Sequence, residues 1–127
     1  MTTIFTKIIQ GDIPSYKIYE DENTFAFLDI GPFSKGHTLV IPKKEYDNIA
    51  DMPEDEYLDL QKQVLKLVKH YREVLGCKIG TMVYGTDVPH VHIHIFPIND
   101  ELKVFDFSKI GKYEDDEASE LVRKLII

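Results

Sequence analysis

The chain has 127 residues, of which 43% are hydrophobic and 29% are charged, and its formal net charge is −7. This length predicts a single domain over residues 1–127, and the composition excludes a disordered, collagen-like or coiled-coil protein. The acidic balance argues against binding to nucleic acid, and without a ~20-residue apolar run or a signal-peptide pattern we expect neither a membrane protein nor an exported one. The single cysteine, Cys77, fits a cytoplasmic protein without disulfides.

The first half of the chain predicts one short helix and three strands. Residues 4–9 suit a short amphipathic helical segment, which Gly11 closes. Three further runs contain β-branched and aromatic residues and are bounded by turn residues, as strands are. These runs are residues 17–20, 24–28 and 37–41.

A long helix is predicted over residues 53–75. Pro53 fits the first helical position, where its missing N–H costs nothing, and the acidic residues after it suit the positive end of the helix dipole. Gly76 is expected to end the helix. Apolar residues at helical spacing would form the face that packs on the sheet. The members of this stripe are Val64, Leu65, Val68, Tyr71, Val74 and Leu75.

The second half of the chain predicts two more strands and one more helix. The strands cover residues 78–84 and 90–96, with a loop at 85–89 between them, and an acidic-started helix covers residues 114–125. The economical arrangement is an α+β fold, in which a sheet of about five mainly antiparallel strands carries its helices on one face.

Three histidines, His90, His92 and His94, alternate along the predicted strand at 90–96. Because side chains along a strand point to opposite faces in turn, the three imidazoles would line one face, while the apolar residues between them face the long helix. Two chemistries fit this pattern. Histidines at such spacing can supply zinc ligands, or a neutral imidazole can attack phosphorus while its neighbours neutralise phosphate oxygens. The spacing alone leaves both open.

The alternating histidines and several upstream segments are similar to the histidine-triad (HIT) superfamily, in its Hint-like branch. The run at 90–96 matches the triad motif, and residues 36–43 look like the strand of the family's other signature block. Further matches in order and spacing lie at residues 4–9, 13–14 and 20–30. The resemblance covers residues 3–98 and leaves the tail at 99–127 outside it.

The resemblance implies a HIT-like fold and hydrolysis or transfer at the α-phosphate of a nucleotide. His92, the middle histidine, would be the nucleophile and would form a nucleotidyl-histidine intermediate. His94 would contact the phosphate and assist the leaving group. His90 and His37 would orient and polarise the nucleophile through hydrogen bonds.

The resemblance also implies a nucleoside pocket, in which apolar side chains sandwich the base and Asp29 binds the ribose hydroxyls. The apolar members would be Phe5, Ile8, Ile13, Phe27 and Ile30. From the residues alone, plain core packing is the alternative for the apolar members, and capping of a turn is the alternative for Asp29.

The loop before the triad departs from the family pattern. Hint-like proteins often carry Gly-Gln-Ser-Val there, whereas this chain has Thr86 for the glutamine and Asp87 for the serine, followed by Val88. These three residues are the expected phosphate-loop contacts. A carboxylate beside a phosphate is unfavourable unless Asp87 turns away or pairs with a protonated histidine.

No metal or other cofactor is expected at this site. Some relatives bind structural zinc through a Cys-x-x-Cys pair near the N-terminus. The matching positions here are Thr3 and Thr6. The sequence therefore predicts that the zinc site is absent.

Together these features predict an enzyme that hydrolyses purine nucleoside phosphoramidates or related adenylylated compounds. One alternative is a dinucleoside polyphosphate hydrolase that uses the same site. The others are a nucleotide-binding regulator with little turnover and a metal-dependent enzyme that uses the triad as ligands.

A homodimer is also expected. In the family, two subunits join their sheets edge to edge and pack their long helices together. The predicted strand at 78–84 and the helix at 53–75 occupy the matching places. Tyr57, Leu60 and Leu67 extend the apolar surface of the helix beyond what one core face needs.

Overall fold

The structure, a computed structural model, describes residues 2–85, 87–102, 107–109 and 111–127. Three α-helices, five strands and two short 3₁₀ turns follow one another along these residues. Their order is α1 (Ile4–Ile9), β1 (Lys17–Glu20), β2 (Thr24–Leu28), β3 (Thr38–Pro42), a 3₁₀ turn (Ile49–Asp51), α2 (Glu54–Leu75), β4 (Ile79–Val83), β5 (Ile93–Pro97), a 3₁₀ turn (Phe107–Lys109) and α3 (Glu117–Leu125).

The five strands form one sheet in the order β1-β2-β3-β5-β4, and all neighbours are antiparallel. This confirms the predicted α+β fold with five strands. Strand β5, which carries the end of the histidine run, lies between β3 and β4. His94 is therefore paired on both sides, with Leu39 and with Met82.

Helices cover both faces of the sheet, so the prediction of helices on one face is wrong. On one face α2 packs on Val91, Ile93 and Ile95, together with Ala26 and Val40. On the other face, α1 contributes Phe5 to a second cluster, whose other buried members are Phe25, Phe27, Leu39 and Ile41. The physical reason is that β2 and β3 are apolar on both faces, and each face has to be removed from water.

The buried face of α2 overlaps in part with the predicted stripe, since Val64 and Tyr71 belong to both. Leu60, Val64, Leu67 and Tyr71 are buried. These positions follow a spacing of three or four residues, which keeps them on one side of a helix. Three predicted members of the stripe, Leu65, Val74 and Leu75, are instead exposed by 53%, 66% and 46%. The expectation that Leu60 and Leu67 lie outside the core is therefore wrong.

Several predicted boundaries shift by one to three residues. Helix α2 begins at Glu54, because Pro53 is extended and acts as the N-cap. The histidine strand begins at Ile93 and not at His90, since the Val91 N–H bonds to the Tyr46 carbonyl, away from the sheet ladder. The remaining predicted starts at 37, 78 and 114 move to Thr38, Ile79 and Glu117.

None of the helices in the described ranges is both long enough and apolar enough to cross a membrane. None of the residues of α3 is buried, although Leu121, Val122 and Leu125 give this helix an apolar side.

Candidate active site

All four predicted catalytic histidines are buried. The exposed fractions are 1% for His37, 0% for His90, 1% for His92 and 6% for His94. The apolar residues that alternate with the triad face α2, as predicted. The histidines lie on the other face, and Phe5 from α1 packs edge-on against His92 at 5.1 Å between ring centroids. Their face of the sheet is therefore covered and not open.

His90 is fixed through both ring nitrogens. Its Nε2 lies 2.7 Å from the carbonyl oxygen of Pro42, and its Nδ1 lies 2.8 Å from the Thr3 hydroxyl. A carbonyl only accepts hydrogen bonds, so Nε2 carries the proton and Nδ1 accepts from Thr3. Burial lowers the pKa of His90, which favours this neutral form.

The Thr3 hydroxyl belongs to a small polar cluster at the start of α1. It accepts the backbone N–H of Thr6 at 3.2 Å and so caps the helix. Glu45 accepts hydrogen bonds from the Thr3 N–H, at 3.0 Å, and from the Thr6 hydroxyl. These bonds, that from the Thr6 hydroxyl first, lower the pKa of Glu45. The two threonines thus join His90 to Glu45 by hydrogen bonds.

His92 is oriented by the backbone just before it. Its Nδ1 lies 2.7 Å from the carbonyl oxygen of His90, so Nδ1 carries a proton and the ring cannot turn over without losing this bond. The opposite nitrogen, Nε2, points at the loop before the triad. There it meets Asp87 Oδ1 at 3.1 Å.

The Asp87 carboxylate pairs with His92 at hydrogen-bond distance, and pairing with a histidine is the second arrangement that the sequence allowed. The contact is an ion pair when His92 is protonated. Burial opposes ionisation of Asp87, but the N–H groups of Asp87 and Val88 and the charge on His92 together lower its pKa below the ordinary value. The Asp87 side chain is 66% exposed, whereas that of His92 is fully covered.

His37 and His94 form a second fixed pair. The Phe33 N–H donates to His37 Nδ1 at 3.1 Å, so the His37 proton is on Nε2. That nitrogen lies 2.9 Å from His94 Nδ1, which must accept. The proton of neutral His94 is therefore on Nε2, and this nitrogen has no hydrogen-bond partner among the described residues.

The titration of these two rings follows from their surroundings. Burial, with the neighbouring His92 and His37, lowers the pKa of His94 to about 4. Burial also lowers the pKa of His37, and the nearby Asp29 carboxylate partly opposes this shift. Both rings are therefore neutral at pH 7, which agrees with the hydrogen bonds between them.

Phe33 and Glu45 are contacts of the site that the sequence did not reveal. The Phe33 ring stacks on His37 with centroids 4.2 Å apart and lies 5.4 Å from His94. It belongs to an irregular segment between Pro32 and Gly36, where no periodicity assigns a direction to a side chain. The only signal was an aromatic residue shortly before a histidine.

A metal bound by the three triad histidines is not favoured by their directions. His90 and His92 each direct a protonated nitrogen at a backbone carbonyl. Ligand-type atoms of Asp29, His37 and His94 do lie within 4.8 Å of one another. In that group the facing nitrogens of His37 and His94 already share a hydrogen bond. The predicted absence of a metal stays a prediction.

Apart from Asp87, the predicted nucleoside and phosphate-loop residues lie in several different surroundings. Phe5 and Phe27 are buried in the second core cluster, and Ile8 and Val88 pack against its edge. Ile13 is half-buried, and Thr86 lies outside the described residues. The remaining two, Asp29 and Ile30, line a depression of about 440 Å³ together with His37.

Asp29 also makes the capping contact that was its alternative role. Its Oδ1 accepts the Gly31 N–H at 2.8 Å, and its Oδ2 lies 3.8 Å from His37 Nδ1. Ile30 is 88% exposed, so in this structure it belongs to the surface and not to the core. Binding of a nucleoside by either residue remains a prediction.

Comparisons with known proteins identify the family of this chain. The family model described as "HIT domain" matches residues 10–101. An uncharacterized HIT-like protein of Methanocaldococcus jannaschii is 42% identical, with 91% of this chain and 94% of that protein covered. An adenosine 5′-monophosphoramidase of Candida albicans is 34% identical, with 94% and 91% covered.

A solved structure of the same family shares the fold. A crystal structure of a HIT-family protein from Bacillus subtilis superposes with a TM-score of 0.84 at 32% identity, covering 98% of this chain and 95% of that one. The family match spans His37, the strand β3 that follows it, helix α2 and all three triad histidines. The sequence match, the five-stranded sheet and the arrangement of the histidines therefore lead to one conclusion: this chain belongs to the HIT family.

Proposed function

We propose that this protein is a nucleotidyl hydrolase that cleaves purine nucleoside phosphoramidates, or related adenylylated compounds, at the α-phosphate. One observation carries the proposal: hydrogen bonds to fixed partners leave Nε2 of His92 and Nε2 of His94 as the ring nitrogens available to a substrate. Relatives named adenosine 5′-monophosphoramidase in Candida albicans and two other yeasts support the same reaction class.

The first step forms a bond between His92 Nε2 and the α-phosphorus. Before the attack this nitrogen gives up the proton that faces Asp87, and the amine leaving group takes up one proton as its P–N bond breaks. The step is therefore balanced by net transfer of one proton from His92 to the amine. The Nε2–H of His94 donates to a phosphoryl oxygen or to the leaving nitrogen and stabilises the charge that develops there.

The second step consumes the nucleotidyl-histidine. Water attacks phosphorus and the Nε2–P bond of His92 breaks. One water proton returns to Nε2, which restores the pair with Asp87, and the other leaves with solvent. Throughout both steps the His90 carbonyl keeps the Nδ1 proton in place, so the tautomer that exposes Nε2 is maintained.

The neighbouring residues support these roles indirectly. His90, held by Pro42 and Thr3, fixes the carbonyl that orients His92. His37 fixes the tautomer of His94. The depression lined by Asp29 and Ile30 adjoins His37 and is where we place the nucleoside. We also propose that the protein works as a cytoplasmic homodimer.

A turnover panel tests the proposed function. Purified protein is incubated with adenosine and guanosine 5′-phosphoramidates and with diadenosine polyphosphates, with and without a chelator. We expect fastest release of the nucleoside monophosphate from the phosphoramidates, and no loss of rate with the chelator. Faster cleavage of diadenosine polyphosphates would favour the alternative hydrolase. Binding without turnover would favour a regulator, and zinc-restored activity would favour the metal-dependent alternative.

A further inference from the structure

We propose that Asp87 is a residue that selects substrates by charge. In the structure its carboxylate occupies the position in front of the nucleophile that the substrate phosphoryl group has to take. It would therefore disfavour ligands in proportion to the negative charge they bring to that position. This role rests on the proposed function and narrows its substrate class to phosphoryl groups with one negative charge and an uncharged or cationic leaving group.

Asp87 and the substrate phosphorus compete for the same position. Asp87 Oδ1 lies 3.1 Å from His92 Nε2. A reacting phosphorus has to approach that nitrogen to about 3–3.5 Å along the same direction. The carboxylate and the phosphoryl group cannot both be there, so binding of substrate displaces Asp87.

The hydrogen bonds of His92 determine which of its ring nitrogens carry a proton. Nδ1 of His92 donates to the His90 carbonyl, and Nε2 faces a carboxylate, which accepts. The low pKa of Asp87 keeps that carboxylate ionised. The hydrogen bond between Asp87 and His92 therefore requires a proton on Nε2 in addition to the one on Nδ1, and in this arrangement the nucleophile cannot attack.

Asp87 is the part of the cover over His92 that can move. The His92 side chain is fully covered, with Phe5 and His94 packed against its ring. Phe5 and His94 are themselves buried, whereas the Asp87 side chain is 66% exposed. It can rotate into the open depression of about 550 Å³ that it lines with Glu45 and Asp47.

A displaced but nearby carboxylate gives the charge dependence. Asp87 stays within a few ångströms of the phosphoryl group, so repulsion between them is only partly screened by salt. A phosphoramidate substrate brings one negative charge, whereas a nucleoside monophosphate product brings two. A dinucleoside polyphosphate adds charged phosphates beside the reacting one. The same carboxylate therefore favours release of product and discriminates against polyphosphates.

Binding measurements with a matched control test this role. Calorimetric titrations at pH 7.5 compare the wild type, Asp87→Asn and Asp47→Asn with three ligands: AMP, its monoanionic methyl ester and adenosine. We expect Asp87→Asn to bind AMP about tenfold more tightly and the methyl ester about threefold more tightly, with adenosine unchanged. Asp47 lines the same depression without contacting His92, so Asp47→Asn should stay within about twofold for every ligand.

A spectroscopic measurement tests the resting pair without any ligand. Nitrogen NMR of the His92 ring at pH 7 should show two protonated nitrogens in the wild type. In Asp87→Asn it should show a protonated Nδ1 and an unprotonated Nε2. The same ring spectrum in both proteins would overturn the ion pair on which the role depends.

The outcomes separate this role from the proposed function. If phosphoramidates are turned over but AMP and its methyl ester change by the same factor in Asp87→Asn, or AMP binds no more tightly, the selecting role is wrong and the function stands. If none of the ligands binds to any of the proteins and no phosphoramidate is cleaved, the function and this role of Asp87 are both rejected.

Discussion

At the scale of single residues, His92 differs from its neighbours in where its second ring nitrogen, Nε2, points. Both ring nitrogens of His90 are hydrogen-bonded within the protein, and one ring nitrogen of His94 is hydrogen-bonded to His37. His92 has one nitrogen fixed by a backbone carbonyl and directs the other at a side chain that can move away. This asymmetry is what a nucleophile requires, and strand periodicity alone does not contain it.

We therefore expect His92→Asn to abolish turnover and to leave nucleotide binding nearly intact, because the lost group acts in the transition state. Acid quenching of labelled wild type followed by mass spectrometry should place the nucleotidyl group on His92. His94→Asn, as the matched variant, should slow the reaction while some intermediate still forms. A label on His90 or His94, or an active His92→Asn protein, would contradict the assignment.

Asp29 has two candidate roles that a single substitution separates. If Oδ2 binds the ribose hydroxyls, Asp29→Asn should weaken nucleotide binding by about 1–3 kcal/mol, as expected for loss of a charge-assisted hydrogen bond. The fold should change little, because the amide oxygen can still accept from Gly31. Calorimetry that shows equal affinity for nucleotide would leave Asp29 with the turn alone.

At the scale of secondary structure, helix α1 depends on its contacts with the rest of the chain. Six residues are too few for a helix to be stable alone in water. Its attachments are Phe5 in the core and Thr3, which caps the helix and binds His90. The first helix and the first triad histidine are therefore held by the same hydroxyl.

Thr3→Val should lower the free energy of unfolding by about 1–2 kcal/mol, since it removes a cap and leaves a buried ring nitrogen without its donor. Thr3→Ser should retain most of the stability because the hydroxyl remains. Urea denaturation of both variants, with exposed Thr2→Val as the control, makes the measurement. A Thr3→Val protein as stable as the wild type would show that the contact with His90 is dispensable.

The sequence predicted the elements better than their packing. Alternation correctly placed Val91, Ile93 and Ile95 against the long helix, and turn residues correctly located β1 and β2. The stripe of α2 was predicted only in part, because apolar residues occur around more than half of that helix and only contact with the sheet selects Leu60 over Leu65. Helices lie on both faces of the sheet because β2 and β3 are apolar at successive positions, which leaves two apolar faces to cover.

The site was predictable as far as its histidines, and less so beyond them. A pattern of alternating residues identifies which side chains share a face, but it carries no information on irregular segments. From such segments, Phe33 stacks on His37, and Glu45 bonds to the threonines beside His90. The pairing of Asp87 with His92 required the direction of a ring nitrogen, which only the folded loop provides.

At the scale of the whole molecule, burial of several neutral histidines makes stability depend on pH. The pKa of His94 is about 4 in the folded protein, against 6.5 for an unperturbed histidine. Between these values the unfolded chain binds more protons, so stability falls as the pH is lowered through this window. The lowered pKa values of His37 and His90 act in the same direction.

We expect the free energy of unfolding to fall by about 2 kcal/mol between pH 7 and pH 5 from His94 alone. Urea denaturation at both pH values makes the measurement. His94→Gln should flatten the dependence, whereas His70→Gln on the exposed side of α2 should leave it unchanged. A wild type equally stable at the two pH values would contradict the neutral, buried state of these rings.

Assembly is the second property of the whole molecule. Strand β4 has β5 as its one neighbour in the described sheet, and Leu58 and Leu65, seven residues apart, give α2 an exposed apolar side. Removal of this surface from water would stabilise a dimer. Light scattering at micromolar concentration should give twice the 14.7 kDa of one chain. Leu65→Glu should reduce that mass, and Lys7→Glu on α1 should not; a single-chain mass for the wild type would contradict the homodimer.

The cluster of Thr3, Thr6 and Glu45 beside His90 has a consequence for where the protein can work. Hydroxyl and carboxylate groups are not oxidised by peroxide, and they compete poorly for copper or cadmium, whereas a thiolate pair in the same place is open to both. We expect a site held by these hydrogen bonds to fold without a metal ion. We therefore expect the triad to keep its geometry under oxidative stress and under zinc starvation, conditions in which a site held by a zinc-bound cysteine pair would lose its order.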